Sequence, residues 1–359
     1  MTQSRNPLPG VPKVESPFFA DHFGPDTPAE LLRIARDLNE KGYAVLDFPD
    51  AEIAARSARI IDDLSVLVGG GARYGAGASV QDWPQYKTTR VQDAWKSNDD
   101  VRAIATNQAI LDLLSQLYGR QAWPFQTLNF PLGSQQHYHS DSIHFSSMPE
   151  RFMCGVWVAL EDIGPDQGPL EYFPGSHKWP VYTNEHIGRS DVADTQANQQ
   201  IFEGLWTRLV ETTGVKREIF CPKAGQALIW TANLLHGGTP HLDKTKTRWS
   251  QVTHYYFEDC AYYTPMSSDP FRGLIRFRNP VNICTGQPVA NSFNGRPIDP
   301  EFLDWAAQSR TPVTRENFDA AAYLRLNPDV AAAKVDPWHH FTQYGRKEGR
   351  AWKAAEAKG

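Results

Sequence analysis

The chain has no surplus of positive charge, no long apolar run and few cysteines, and each absence removes a class of function. Lys and Arg number 36 against 41 Asp and Glu, a net charge of −5. No basic run offers the footprint that nucleic acid or anionic lipid requires. No stretch reaches the roughly 18 consecutive apolar residues of a membrane span. The opening MTQSRNPLPGVPKVESPFF lacks the apolar core of a secretory signal. The expected setting is the cytoplasm, and the expected partner a small molecule. The four cysteines, Cys154, Cys221, Cys260 and Cys284, form no C-x-x-C pair. They read as buried free thiols, not as zinc ligands or disulfides. The stretch GGGARYGAGAS (Gly69–Ser79) lacks a following Gly-Lys-Ser/Thr and comes after a helical pattern, not a strand. It reads as a flexible loop, not a phosphate cradle.

What is present is ordinary globular chemistry with many aromatics: 41 % hydrophobic, 21 % charged and 12 % aromatic residues over 359 positions. Such a length holds one large domain or two ordinary ones. Thr27-Pro28-Ala29-Glu30 has the form of a capping box, and Leu31, Ile34, Ala35 and Leu38 follow at helical spacing. Gly42 closes this helix and Tyr43–Phe48 follows as a strand. Further helices are expected over about Ala51–Val68 and Asn107–Tyr118. From Trp123 the pattern changes to short apolar runs broken by Gly and Pro: 123–130, 152–163, 170–176, 217–222, 226–236 and 248–257. Strands without alternating helices predict a jelly roll or barrel, with one helical insertion near Gln199–Val210. Composition shifts again near Arg310–Thr314, so a main domain over 1–312 (helices within 27–118, core strands within 123–257) precedes a small helical module over 313–359. A break is expected in that module at Asn327-Pro328.

The chemistry concentrates in HYHSDSIHF, His137–Phe145. If this stretch is a strand, His139 and Asp141 share a face and can offer one cation an imidazole and a carboxylate; a solvated polar turn is the competing reading. A third ligand is available at His236, which ends an apolar run just before Gly237-Gly238. Downstream, Arg248 and Ser250 share a strand face. An inward arginine needs an anion, either a protein carboxylate or a bound one. Together, His-x-Asp, a distant His and Arg-x-Ser fit the two-histidine, one-carboxylate centre of non-haem Fe(II) oxygenases. His137 reads as a supporting residue and His254 as a core histidine. His144 sits in a loop that can overhang the site and meet substrate. Gln126 and Trp157 are candidate cosubstrate contacts; for Gln126 the inward face is undecided, and Trp157 reads equally as core.

The stretches FMCGVWVALEDIGPDQGPLEYFPGSHK (Phe152–Lys178) and IWTANLLHGGTPHLDKTKTRWS (Ile229–Ser250) extend the pattern beyond the ligands. With them, the sequence resembles the phytanoyl-CoA dioxygenase family of Fe(II)/2-oxoglutarate-dependent oxygenases over roughly Trp123–Phe257. The resemblance implies a double-stranded β-helix, mainly β and cupin-like, with the helices outside one sheet. It implies iron on His139, Asp141 and His236, 2-oxoglutarate on Arg248 and Ser250, and O2 as co-reactant. The implied reaction is hydroxylation of a C–H bond with release of succinate and CO2. A carboxylate ligand in place argues against halogenation, which needs that coordination position for halide. The competing function is a non-catalytic small-molecule or glycan-binding jelly roll. The resemblance implies acyl-CoA thioesters, amino-acid-like osmolytes or natural-product scaffolds as substrates, and the aromatic richness and the tail point to a lipid or a saccharide. The tail, with Y-L-x-x-N-P-D-V and H-F-x-x-x-G-x-x-E-G-R, resembles units appended to bacterial surface and polysaccharide-related proteins, and can mediate an interaction.

Overall fold

The structure, a computed structural model, describes residues 6–68, 90–189, 195–299, 302–303 and 313–345, with 348, 350 and 352. The glycine-rich stretch Gly69–Ser79 lies outside the described residues. The chain divides into two compact units, Met1–Ala306 and Ala307–Gly359.

In the larger unit, helix α1 (Phe19–His22) leads to α2 (Ala29–Lys41), which buries Ile34, Ala35 and Leu38. The capping box does not form. Pro28 occupies the N-cap with no side-chain bond, and proline at the cap moves Thr27 one position too far out. Gly42 ends the helix in the left-handed region (φ +87°), where its N–H bonds the Leu38 carbonyl at 3.0 Å. Strand β1 (Tyr43–Asp47) and helix α3 (Ile53–Val68) follow. The short strand β2 (Val91–Gln92) precedes α4 (Asp99–Ala105) and α5 (Gln108–Tyr118), whose caps Asn98 and Asn107 accept from Val101 and Ile110 N–H.

The sheets are antiparallel throughout. Strands β3 (Ala122–Phe130), β4 (Ser146–Met148), β5 (Met153–Ala159), β6 (Leu170–Tyr172), β7 (Glu218–Phe220), β8 (Gln226–Thr231), β9 (His236–Gly238), β10 (Ser250–Phe257) and β11 (Ala261–Tyr263) build them, with α6 (Thr195–Thr213) inserted between β6 and β7. Six strands form the major sheet in the order β1-β8-β5-β10-β3-β2, and three form the minor one in the order β7-β6-β9. This is the jelly roll in open form; among the described residues the two sheets do not join into a closed barrel. The run Gln226–His236 is not one strand. It turns after Thr231, whose carbonyl accepts Leu234 N–H at 3.0 Å, and re-enters the other sheet at His236.

Side-chain alternation gives the major sheet two different faces. Val156, Val158, Ile229 and Phe257 join Leu38, Ile60 and Leu114 in the outer core, so the helices cover one face. Leu128, Trp157, Leu228, Trp230 and Val252 meet Leu170, Tyr172 and Phe220 of the minor sheet in the inner core. Each such large apolar side chain contributes about 1.5–3 kcal/mol when fully buried. Cys154 and Cys260 are buried, but Cys221 and Cys284 are exposed, all four as free thiols. The expectation of burial fails for these two because Cys221 directly follows edge strand β7 and Cys284 sits in a turn.

His177 packs its ring where a Cβ on Gly42 would lie, 2.6 Å from Nδ1, and Nε2–H donates to the Asn39 carbonyl at 3.1 Å. Burial pulls its pKa down to about 4, with the Asn39 bond opposing. Unfolded, the same imidazole titrates near 6.5. Between those values the unfolded chain binds the extra proton, so stability rises with pH there and is lost as pH falls from 6.5 towards 4. Urea unfolding of the apo-protein should show that decline, about 3 kcal/mol from this residue, and His177→Gln should remove a corresponding part of it. An unchanged slope would refute the assignment.

In the smaller unit, α7 (Ala320–Leu326), α8 (Pro328–Ala333) and α9 (Pro337–His340) pack Tyr323, Val330 and Phe341 together. Asn327 separates α7 from α8: its N–H bonds the Tyr323 carbonyl at the end of the first, and it stands at the N-cap of the second without a side-chain cap bond. No helix among the described residues of either unit is long and apolar enough to cross a membrane.

Candidate metal centre

His139 and His236 exchange both backbone hydrogen bonds, at 2.9 and 3.0 Å, which sets their rings side by side with centroids 4.6 Å apart. His139 occupies this isolated bridge, and Asp141 opens a 3-10 turn over Asp141–Ile143. The two are therefore not neighbours on one strand, as simple alternation would have it. The turn is capped by Ser140, whose Oγ accepts from Ser142 N–H and donates to Asn233 Oδ1 at 2.9 Å. It swings the Asp141 carboxylate back beside the imidazoles.

The resulting group is compact. His139 Nε2 lies 3.7 Å from Asp141 Oδ1, and His236 Nε2 lies 3.7 Å from Asp141 Oδ2. One donor atom from each of the three lies within 4.8 Å of the others, a spacing that can hold one metal ion. His139 Nδ1 meets the His137 carbonyl at 3.0 Å and His236 Nδ1 the Leu234 carbonyl at 3.1 Å. A carbonyl only accepts, so both protons sit on Nδ1 and both Nε2 lone pairs face the centre. Burial, reinforced by His236, pulls the His139 pKa down to about 3. Burial alone would raise that of Asp141, but His236, His254, His139 and the Trp230 bond together hold it near 2. A neutral His139 imidazole beside an ionised Asp141 carboxylate meets what a metal needs of those two ligands, and the donor set fits iron.

A cavity of about 190 Å³ opens from this group between the sheets. Arg248, only 1 % exposed, also lines it. Its Nε donates to the Gly168 carbonyl at 3.1 Å and its Nη1 to Ser250 Oγ at 2.9 Å, while the Trp157 ring stacks 5.1 Å away. Among the described residues Arg248 makes no ion pair, and burial disfavours its cation, with Glu161 the one charge that supports it. Glu161 itself is held by Trp249 N–H and the Thr247 hydroxyl.

The remaining candidates separate cleanly. Gln126 faces inward, and Asn129, of the opposite parity, faces outward to Gln251, which in turn donates to the Val101 carbonyl of α4; Gln126, Trp157 and His144 all line the cavity. His144 sets its ring edge-on to that of His139, with centroids 6.1 Å apart, and burial lowers its pKa. His137 turns away to Thr207 Oγ1 at 3.2 Å. His254 is not a core histidine. It lines the cavity with Nε2 3.7 Å from Asp141 Oδ2, and its Nδ1 bonds Gln126 Oε1 at 3.0 Å. Its alternation with Arg248 and Ser250 along the strand was the signal for this placement. Trp230, whose Nε1–H donates to Asp141 Oδ2 at 2.9 Å, has no such signal within its apolar run.

The fold and this centre define a double-stranded β-helix carrying a two-histidine, one-carboxylate group at the mouth of a buried arginine pocket. A sequence model described as "Phytanoyl-CoA dioxygenase (PhyH)" matches residues 39–247, more than half of the chain. The chain belongs to the phytanoyl-CoA dioxygenase family of Fe(II)/2-oxoglutarate-dependent oxygenases. A comparison with curated proteins finds no match. Among solved structures, the epimerase SnoN in complex with Fe3+, alpha ketoglutarate and nogalamycin RO is 21 % identical. It covers 77 % of this chain and 98 % of its own, at a TM-score of 0.52, and so shares the fold. The carbocyclase SnoK from nogalamycin biosynthesis is 16 % identical over 74 % of this chain and 95 % of its own, with a TM-score of 0.49. EctD from S. alaskensis is 18 % identical over 68 % and 81 %, with a TM-score of 0.46.

Proposed function

We propose that the protein is an Fe(II)- and 2-oxoglutarate-dependent dioxygenase that hydroxylates a C–H bond of a small organic molecule, releasing succinate and CO2. The observation that carries this reading is the pairing, in one cavity, of the compact His139, Asp141 and His236 group with a buried arginine that has no ion-pair partner among the described residues. Iron held there, with 2-oxoglutarate and O2, supplies oxidation of an unactivated C–H bond coupled to decarboxylation. The chain's own part is threefold. His139, Asp141 and His236 present three donors on one side and leave the cavity side open. Arg248, with Ser250 beside it, holds the distal carboxylate of 2-oxoglutarate by charge-assisted bonds in a site where water is excluded. Gln126 and Trp157 wall the space between. An intact donor set and an arginine without an ion pair among the described residues favour catalysis over the non-catalytic binding alternative.

The cavity's substrate side is lined by Arg90, Gln92, Ser134, Gln136 and His144. This polar rim suits a natural product, saccharide or lipid with a charged or hydroxylated group better than a bare hydrocarbon. Anaerobic addition of Fe(II) and 2-oxoglutarate to the apo-protein should produce the weak visible absorption of the metal chelate. Exposure to O2 should then yield succinate, faster with substrate than without. Neither absorption nor succinate would overturn the proposal.

A further inference from the structure

Five residues stand directly opposite one another across the major sheet: Tyr43, Trp230, Gly155, His254 and Gln126, on β1, β8, β5, β10 and β3. Such a row should present five side chains to one face, but its middle member has none. The Trp230 indole lies in that gap. A Cβ built on Gly155 would fall 2.1 Å from its Cζ2, 2.3 Å from Cε2 and 2.5 Å from Cη2, where no atom fits without displacing the ring. Gly155 has no positive φ to explain it, so the close approach is the reason for glycine. The ring, 2 % exposed, is wedged between His236 (centroids 4.8 Å, 42°) and His254 (6.0 Å, 88°).

We propose that Trp230 is a positioning residue for Asp141 and that Gly155 is the notch that seats it. An indole N–H only donates and neither titrates nor ligates metal. It can therefore occupy one lone pair of Oδ2 and fix the carboxylate plane without competing for the ion. A water or a histidine at this place would not have that property. The inference rests on the metal reading above and extends it to two residues with no ligand role. Partners that orient metal ligands typically affect affinity 10- to 100-fold.

The test uses Co(II) as a spectroscopic probe in the full-length protein. Trp230→Phe keeps a flat ring and deletes the donor. Gly155→Ala leaves the indole intact and pushes it. Val156→Ala, on the outer face of the same strand, controls for loosening of β5. Both site variants should weaken Co(II) roughly 10- to 100-fold and change its visible spectrum in the same way, whereas Val156→Ala should change neither. Because both act through one hydrogen bond, the double variant should be little worse than either alone. Trp230→Phe with native affinity and spectrum, or two effects that simply multiply, would overturn the inference while leaving the metal reading intact. A wild-type chain that binds no Co(II) would overturn both.

Discussion

Asp141→Ala should abolish Fe(II) binding, by more than about 100-fold, while leaving the apo-protein folded. Even residues that merely orient ligands affect affinity 10- to 100-fold, and here the anionic ligand itself is removed. The two remaining imidazoles are neutral, so nothing compensates the charge of the ion. The cost to the fold is small by comparison. Deletion leaves the Trp230 N–H without its acceptor, about 1–3 kcal/mol, but also removes a buried carboxylate whose desolvation opposes folding. Equilibrium dialysis against Fe(II) under anaerobic conditions measures the first effect and urea unfolding the second. Asp141→Asn separates shape from charge: it keeps an oxygen for Trp230 but brings no negative charge, and should bind iron nearly as poorly as alanine. Metal affinity retained in both variants would mean that the carboxylate is not a ligand.

Long-range pairing explains which parts of this site were legible in the sequence. His139, Asp141, His236 and Arg248 were recognisable because each is an unusual residue in an apolar or turn-rich setting, and their order along the chain matches one chemistry. The local reason was different from simple alternation. Asp141 reaches the centre through a 3-10 turn whose cap, Ser140, is tied to Asn233 on the far side of the site, a contact no local pattern contains. Gln126 could not be assigned a face until pairing with β10 set it opposite His254. From the sequence His254 reads as a core histidine. In an antiparallel sheet, distance along one strand is not distance from the site: His254 stands opposite Gly155 on β5, and its Nε2 lies 3.7 Å from Asp141 Oδ2.

The helices follow the same division. The helix at Ala29–Lys41 was visible from apolar spacing and Gly42, although its expected cap bond is absent. Helix α4, only seven residues long, is too short to be legible from apolar spacing. Its two acidic residues and short apolar face resemble a turn until Asn98 is seen capping Val101 N–H and donating to Asp63 on α3. Trp230 marks the limit. Its sequence context, ALIWTA, is that of any buried strand, and only the bond to Asp141 distinguishes it.

Arg248→Ala should leave Fe(II) affinity near its native value and raise the 2-oxoglutarate requirement on the order of 10²- to 10³-fold, the scale expected when a buried charge pair loses one member. Arg248→Lys should fall between, since an ammonium keeps the charge but cannot reach both the Gly168 carbonyl and Ser250 as the guanidinium fork does. Initial rates of succinate formation against 2-oxoglutarate concentration measure both. A structural role for the arginine predicts the opposite pattern in the apo-protein. If a protein carboxylate were its buried partner, removal would cost about 3–5 kcal/mol of stability by stranding that charge. Among the described residues there is no such partner, and burial already works against the cation. Arg248→Met, which fills similar space between Trp157 and Phe130 without a charge, should therefore unfold at the same urea concentration as wild type or a higher one. Native apo-protein would then carry a buried cation that Glu161 supports only from beyond ion-pair distance, and 2-oxoglutarate should raise the unfolding midpoint of wild type but not of Arg248→Met. A large loss of apo stability in Arg248→Met, with 2-oxoglutarate affinity unchanged, would reassign the arginine to the fold.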